Sequence, residues 1–189
     1  HVPKLPTFRS DTNCIQSVKL KTVLKIKSMR IYIFAIVIMA GLDQLIKYLV
    51  RFYLTGQSYI EIIPNLIHLT YQENKGISFS FLADLPTMLR VPLLSGVSAI
   101  VIVGLSFYIY KKWETLLQWE KWGFVFILSG ALGNFWDRAV RQQVTDYMYF
   151  HYYDTGFFVN NLADDLISIG FVLIVISGFL KKEVNAAKQ

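Results

Sequence analysis

Cysteine is nearly missing from this 189-residue chain. Cys14 stands alone, which excludes an intrachain disulfide and argues against a cysteine nucleophile. Histidine is almost as scarce, with His1, His68 and His151 and no HExxH spacing, so a zinc-protease helix has no support. No GxSxG elbow and no glycine-rich phosphate loop occurs, and Ser78 and Ser80 follow Lys75 at spacings that suit a Ser-Lys dyad poorly. Charge is thin as well: 17% of residues are Asp, Glu, Lys or Arg, against about 25% in soluble domains. With 54% apolar residues, the chain reads as an integral membrane protein. Its net charge of +6 comes with no nucleic-acid-binding motif, so no nucleic acid is expected as a partner.

Apolar runs near the roughly 20 residues that cross a bilayer occur at 31–50, 91–110, 116–136 and 162–180. The third is interrupted by Glu120 and Lys121 and carries Gly123, Gly130 and Gly133, small residues that permit close helix packing. Lys and Arg gather before the first run, after the second and in the tail. The expectation is an all-α membrane protein with four transmembrane helices and both termini cytoplasmic. It would comprise a basic N-terminal extension (1–30), a four-helix domain (31–182) and a short cytoplasmic tail (183–189). Met29 is a candidate native start, and no signal-peptide cleavage site follows the first run. Between the first two helices, residues 59–69 and 70–82 suggest short strands, a small periplasmic β-cradle, with an interfacial turn of helix at 85–89. A periplasmic loop joins helices three and four, and its aromatic stretch 147–158 suits a cradle and a lid.

Acidic residues then stand out. Asp43 lies inside one apolar run, Asp137 ends another, Asp164 starts a third, and Asp146 sits between the last two. Carboxylates at that depth need a partner, a wet cavity or a chemical task. Asp43 and Lys47 share a helix face, as do Asn134, Asp137 and Arg138, and Asn161 adjoins Asp164. Each group alone has an ordinary reading: an ion pair, a helix cap holding lipid headgroups, or a partner for a helix dipole. Convergence at one leaflet favours acid–base chemistry by a carboxylate pair. A proton-coupled relay would instead spread polar groups across the bilayer, and a scaffold would need none of them.

The segments GLDQLIK (41–47), ENKGISFSF (73–81), SGALGNFWDR (129–138), VTDY (144–147) and NLAD (161–164) resemble, in order, the motif set of lipoprotein signal peptidase, also called signal peptidase II. The resemblance implies an aspartic endopeptidase of the bacterial inner membrane, multi-pass, with its site toward the periplasm. Its substrates would be prolipoproteins already carrying a diacylglyceryl group, cut just before the lipidated cysteine, and globomycin-type inhibitors would occupy the site. Asp146 and Asp164 would be the catalytic dyad. Asp43, Lys47, Asn74, Gly76, Asn134, Asp137, Arg138 and Asn161 would support it or contact substrate. The resemblance calls for neither a metal nor a cofactor, and a monomer embedded in membrane lipid is expected. Several positions depart from the pattern: Ser129 stands for a glycine, Ser78 for an alanine, Thr145 for a valine, Asn160 for a phenylalanine, and Asp165 for a small hydroxylated residue. Asp165 follows Asp164 by about 100° around a helix and is expected to point elsewhere.

Overall fold

The computed structural model describes residues 10–56, 59–76 and 85–186. Four helices and one sheet follow in the order α1 (Ser10–Leu54), β1 (Ile60–Ile63), β2 (Ile67–Asn74), α2 (Thr87–Lys112), α3 (Gln118–Arg141), β3 (Val144–Tyr152), β4 (Thr155–Asn160) and α4 (Leu162–Ala186). Lys25–Leu54, Thr87–Lys112 and Leu162–Lys181 are long and apolar enough to cross a membrane. Their apolar side chains face outward: Phe34, Val37, Ile100, Val103, Phe171 and Phe179 are all exposed. Water would penalise such a surface, and hydrocarbon would not.

α3 differs in kind. It carries Glu120, Lys121, Asp137, Arg138 and Arg141 within 24 residues, and it packs against each of the other three helices. Its glycines make that centrality possible. A side chain at Gly130 would collide with the Ala163 carbonyl, and one at Gly133 with the Asp43 carboxylate. Glu120, read from sequence as an interruption, is instead the helix's first-turn cap, accepting the Leu117 N–H at 2.7 Å.

No break marks residue 30, because α1 runs 45 residues without interruption. At about 1.5 Å per residue it is longer than a bilayer crossing needs. Residues 1–9, Ser78, Ser80 and the rest of the expected strand beyond Gly76 lie outside the described residues. Of the expected turn of helix at 85–89, only the part from Thr87 is helical, and it opens α2.

The segment expected to be a loop between α3 and α4 is a β-hairpin. β3 and β4 pair antiparallel with each other, and β3 pairs with β2, giving the sheet order β1-β2-β3-β4. The cradle is therefore shared between the two connections, and the aromatic stretch 147–158 enters it as two paired strands. The physical reason is composition: residues 144–160 are rich in β-branched and aromatic side chains, which fit a pleated surface. Gln142, in the left-handed conformation at φ 64°, ends α3 by donating its N–H to Arg138 O. The chain thereby turns straight into β3.

Candidate active site

Two carboxylates reach the same cleft from different elements. Asp146 is the third residue of β3, and Asp164 lies in the first turn of α4. Both line a cavity of ≈ 670 Å³, together with Asn74, Asn134, Arg138 and Asn160 on the polar side and Val97, Val101 and Ile167 on the apolar side. The β2–β3 register sets Gln72 opposite Asp146 and Asn74 opposite Val144. In consequence, the end of β2 lies beside the carboxylate it serves.

Three asparagines tie the pair together. Asn74 Nδ2 donates to Asp146 Oδ2 at 3.0 Å, and Asn161 Nδ2 donates to Asp146 Oδ1 at 2.6 Å. Asn161 also caps α4, its Oδ1 accepting the Asp164 backbone N–H at 3.1 Å. One side chain thus fixes one aspartate by its carboxylate and the other by its backbone. Asn134 Nδ2 donates to Asp164 Oδ1 at 2.8 Å while its own oxygen accepts from Lys47 Nζ at 2.9 Å. Gly76 donates its N–H to Asn74 Oδ1 and accepts from Arg138 Nη2, at 3.0 and 3.3 Å.

Behind the cleft lies a wholly buried ion cluster. Lys47 Nζ sits 2.9 Å from Asp43 Oδ2 and 3.1 Å from Asp137 Oδ2, with all three side chains inaccessible to solvent. Each acid also holds the backbone just before one member of the pair. Asp43 Oδ1 accepts the Ala163 N–H at 3.1 Å, and Asp137 Oδ2 accepts the Thr145 N–H at 3.4 Å. Lys47 consequently links the supports of both Asp164 and Asp146.

The structure brings every site residue expected from sequence to this end of the bundle. Asp43 and Asp137 stand behind the cleft rather than in its wall. Sequence reasoning missed several contributors. Gln44 donates to Gly133 O at 2.9 Å, and Arg51 and Arg141 flank Asp137 at 4.0 and 3.6 Å. Tyr147 accepts the Leu162 N–H at 3.2 Å. A signal existed for two of them, since Arg51 follows Lys47, and Arg141 follows Asp137, by one helical turn. The departure at Thr145 is put to use, its hydroxyl accepting from Arg51 Nη1 at 2.8 Å. Ser129 Oγ donates to Val125 O at 2.7 Å within its own helix. Asp165, as expected, turns from the pair, to Asn160. Among the described residues no group of three or more His, Cys, Asp or Glu is arranged to hold a metal ion.

Burial pushes the Asp146 carboxyl up to about 6. The amides of Asn74 and Asn161 pull against that shift, and the neighbouring Asp164 charge adds to it. A carboxyl in that range exchanges protons near neutrality, as an acid–base catalyst must.

Residues 34–180 match the sequence model of the family described as signal peptidase (SPase) II. The chain belongs to the signal peptidase II family. Among its relatives, the lipoprotein signal peptidase of Streptococcus pneumoniae is 34% identical over 151 residues, covering 79% of this chain and 92% of that protein. The lipoprotein signal peptidase of Brucella ovis is 35% identical over 150 residues, covering 78% and 89%. A solved structure described as a bacterial membrane enzyme superposes with a TM-score of 0.66 at 26% identity, covering 77% of this chain and 90% of that one. A second of the same description, also at TM-score 0.66 but 24% identical, shares the fold. As a member of that family the chain is a protease, and three of its helices are long and apolar enough to cross a membrane.

Proposed function

We propose that Asp146 and Asp164 are the aspartic pair with which this chain removes signal peptides from diacylglyceryl-modified prolipoproteins, cutting before the lipidated cysteine. The observation that carries the reading is that both line one cleft and are tied through Asn161. Asp146, whose two oxygens each accept an amide N–H, acts as the carboxylate of the pair in this reading. It takes a proton from a water held between the pair, and the resulting hydroxide adds to the scissile carbonyl carbon. Asp164, protonated, hydrogen-bonds the carbonyl oxygen. When the C–N bond breaks, the proton held on Asp146 passes to the leaving amine. No acyl-enzyme forms.

The same reading makes α3 a fourth span, shielded from lipid by its neighbours, with the sheet on the periplasmic side of the bacterial inner membrane and both termini cytoplasmic. The distribution of Lys and Arg supports that orientation. Diacylglyceryl chains would lie along the apolar wall of Val97, Val101 and Ile167, each buried CH₂ contributing about 0.8 kcal/mol. Globomycin-type inhibitors would compete for this cleft, and one chain suffices for the site. A proton relay across the bilayer is disfavoured, because the buried charged groups Asp43, Lys47, Asp137 and Asp146 gather at one end while the other is packed with Trp113, Ile109 and Leu128.

The test is cleavage of lipidated and non-lipidated prolipoprotein by wild type, Asp146→Asn and Asp164→Asn. Each variant should lose about 10²- to 10⁴-fold in kcat while staying folded, and the non-lipidated substrate should be cut poorly. Retained turnover in both variants would remove the pair from catalysis.

A further inference from the structure

The cleft wall near Asp164 contains an amide with no part in the hydrogen-bond chain of the pair. Asn160, the last residue of β4, lines the cleft. Its Nδ2 donates to Asp165 Oδ1 at 2.6 Å. A carboxylate can accept only from the nitrogen of an amide, so this contact fixes which way the Asn160 amide faces. The other end, Asn160 Oδ1, is buried and has no hydrogen-bond partner among the described residues. Unpaired buried acceptors are uncommon and call for an explanation.

The same two positions are the ones at which the motif resemblance calls for other residues, a phenylalanine in place of Asn160 and a small hydroxylated residue in place of Asp165. They face each other, so each supplies what the other needs. Their location is also specific. Asn160 is opposite Met148 in the β3–β4 register, two residues beyond Asp146, and it immediately precedes Asn161, which binds both members of the pair. The amide therefore stands on the strand next to that of Asp146 and in the wall of the same cleft.

We propose that Asn160, oriented by Asp165, is a specificity-determining residue whose Oδ1 accepts a hydrogen bond from an N–H or O–H donor of the prolipoprotein next to the scissile bond. This rests on the reading of Asp146 and Asp164 as the catalytic pair. Where an aromatic wall rewards an apolar substrate residue, an amide oxygen rewards a donor, since leaving it unpaired against an apolar group forfeits the bond.

The full chain in detergent micelles, given lipidated substrates with Ser or Ala just before the lipidated cysteine, provides the test. If a side-chain hydroxyl is the donor, wild type favours Ser over Ala in kcat/KM by about threefold to tenfold. Asn160→Leu then brings the ratio to near one, and Asp165→Ser shifts it the same way by less. If the backbone N–H is the donor, Asn160→Leu lowers both substrates by a similar factor through KM at unchanged melting temperature, and Asn160→Gln restores part of it. Two results overturn the proposal: values and ratios within twofold of wild type in both Asn160→Leu and Asp165→Ser, or a uniform loss that Asn160→Gln does not relieve. Failure of the underlying reading is separable, because it would appear as an active Asp164→Asn enzyme.

Discussion

At the end of the bundle that carries the sheet, the fully buried side chains include Lys47, Asp43, Asp137 and Asn161; at the far end the buried core is Ile109, Trp113, Leu116 and Leu128. The far end is held by apolar and aromatic packing. Tyr32 meets Trp113 edge-on at 4.9 Å and Trp122 at 5.1 Å, and Trp113 Nε1 donates to Ser28 Oγ at 2.9 Å. Lys25 adds a hydrogen bond to the Tyr110 carbonyl and lies over the Tyr110 ring. Such packing specifies shape without placing charge. The sheet end does the reverse: it spends burial on ions, which is costly unless every charge is paired, and obtains fixed positions for Thr145 and Ala163, the residues preceding Asp146 and Asp164. Substitutions at the far end should therefore act on stability alone, and those at the sheet end on stability and turnover together.

The largest effect should come from Lys47→Met. It leaves Asp43 and Asp137 buried without their common cation, a loss of about 3–5 kcal/mol in stability, and kcat should fall by more than the unfolded fraction explains. Adding Asp43→Asn should recover part of the stability but little of the turnover, as measured by thermal unfolding in detergent beside a cleavage assay. Full activity in folded Lys47→Met would show the cluster to be structural only. Trp113→Leu is the counterpart at the far end. It should lower stability by about 1–3 kcal/mol through a void and a lost aromatic contact, with kcat/KM of the folded fraction within twofold. A tenfold drop in turnover there would break the division between the ends.

Much of this contrast was legible in the sequence, though unevenly. The polar motifs named the residues that the structure gathers at the sheet end, and the apolar runs located α2 and α4 closely, because hydropathy over about 20 residues is a strong signal. Partnerships were less legible. Helical spacing pairs Asp43 with Lys47, but nothing local says that Asp43 also holds Ala163 across 120 positions. The hairpin of β3 and β4 was missed because its aromatic residues suit a membrane interface as well as they suit a strand. α1 was cut short at residue 31 because polarity, which ends a span, does not end a helix.

A third expectation concerns pH. With the Asp146 carboxyl pushed up to about 6, kcat/KM should fall as pH drops through that value, since the protonated acid cannot take a proton from water. Above it the base is present. Asn74→Ala removes an amide donor that favours the charged form, so the acid limb should move to higher pH, by up to about one unit. A limb that stays put, or moves lower, would mean that Asn74 does not tune Asp146.

The smallest effect should come from Thr145→Val, which keeps the β-branched shape while deleting the hydroxyl that accepts from Arg51. Arg51 would keep only its longer approach to Asp137, at 4.0 Å. The backbone bond from Thr145 N–H to Asp137 Oδ2 survives the change, so Asp146 should stay in register. Stability should fall by about 0.5–1.5 kcal/mol, the net worth of one hydrogen bond, with the acid limb of the pH profile unmoved. Unfolding in detergent together with the pH profile reads both quantities. A shifted limb at unchanged stability would show that Arg51 reaches Asp146 electrostatically through this hydroxyl, and that the sheet end is tuned from farther out than the Lys47 cluster.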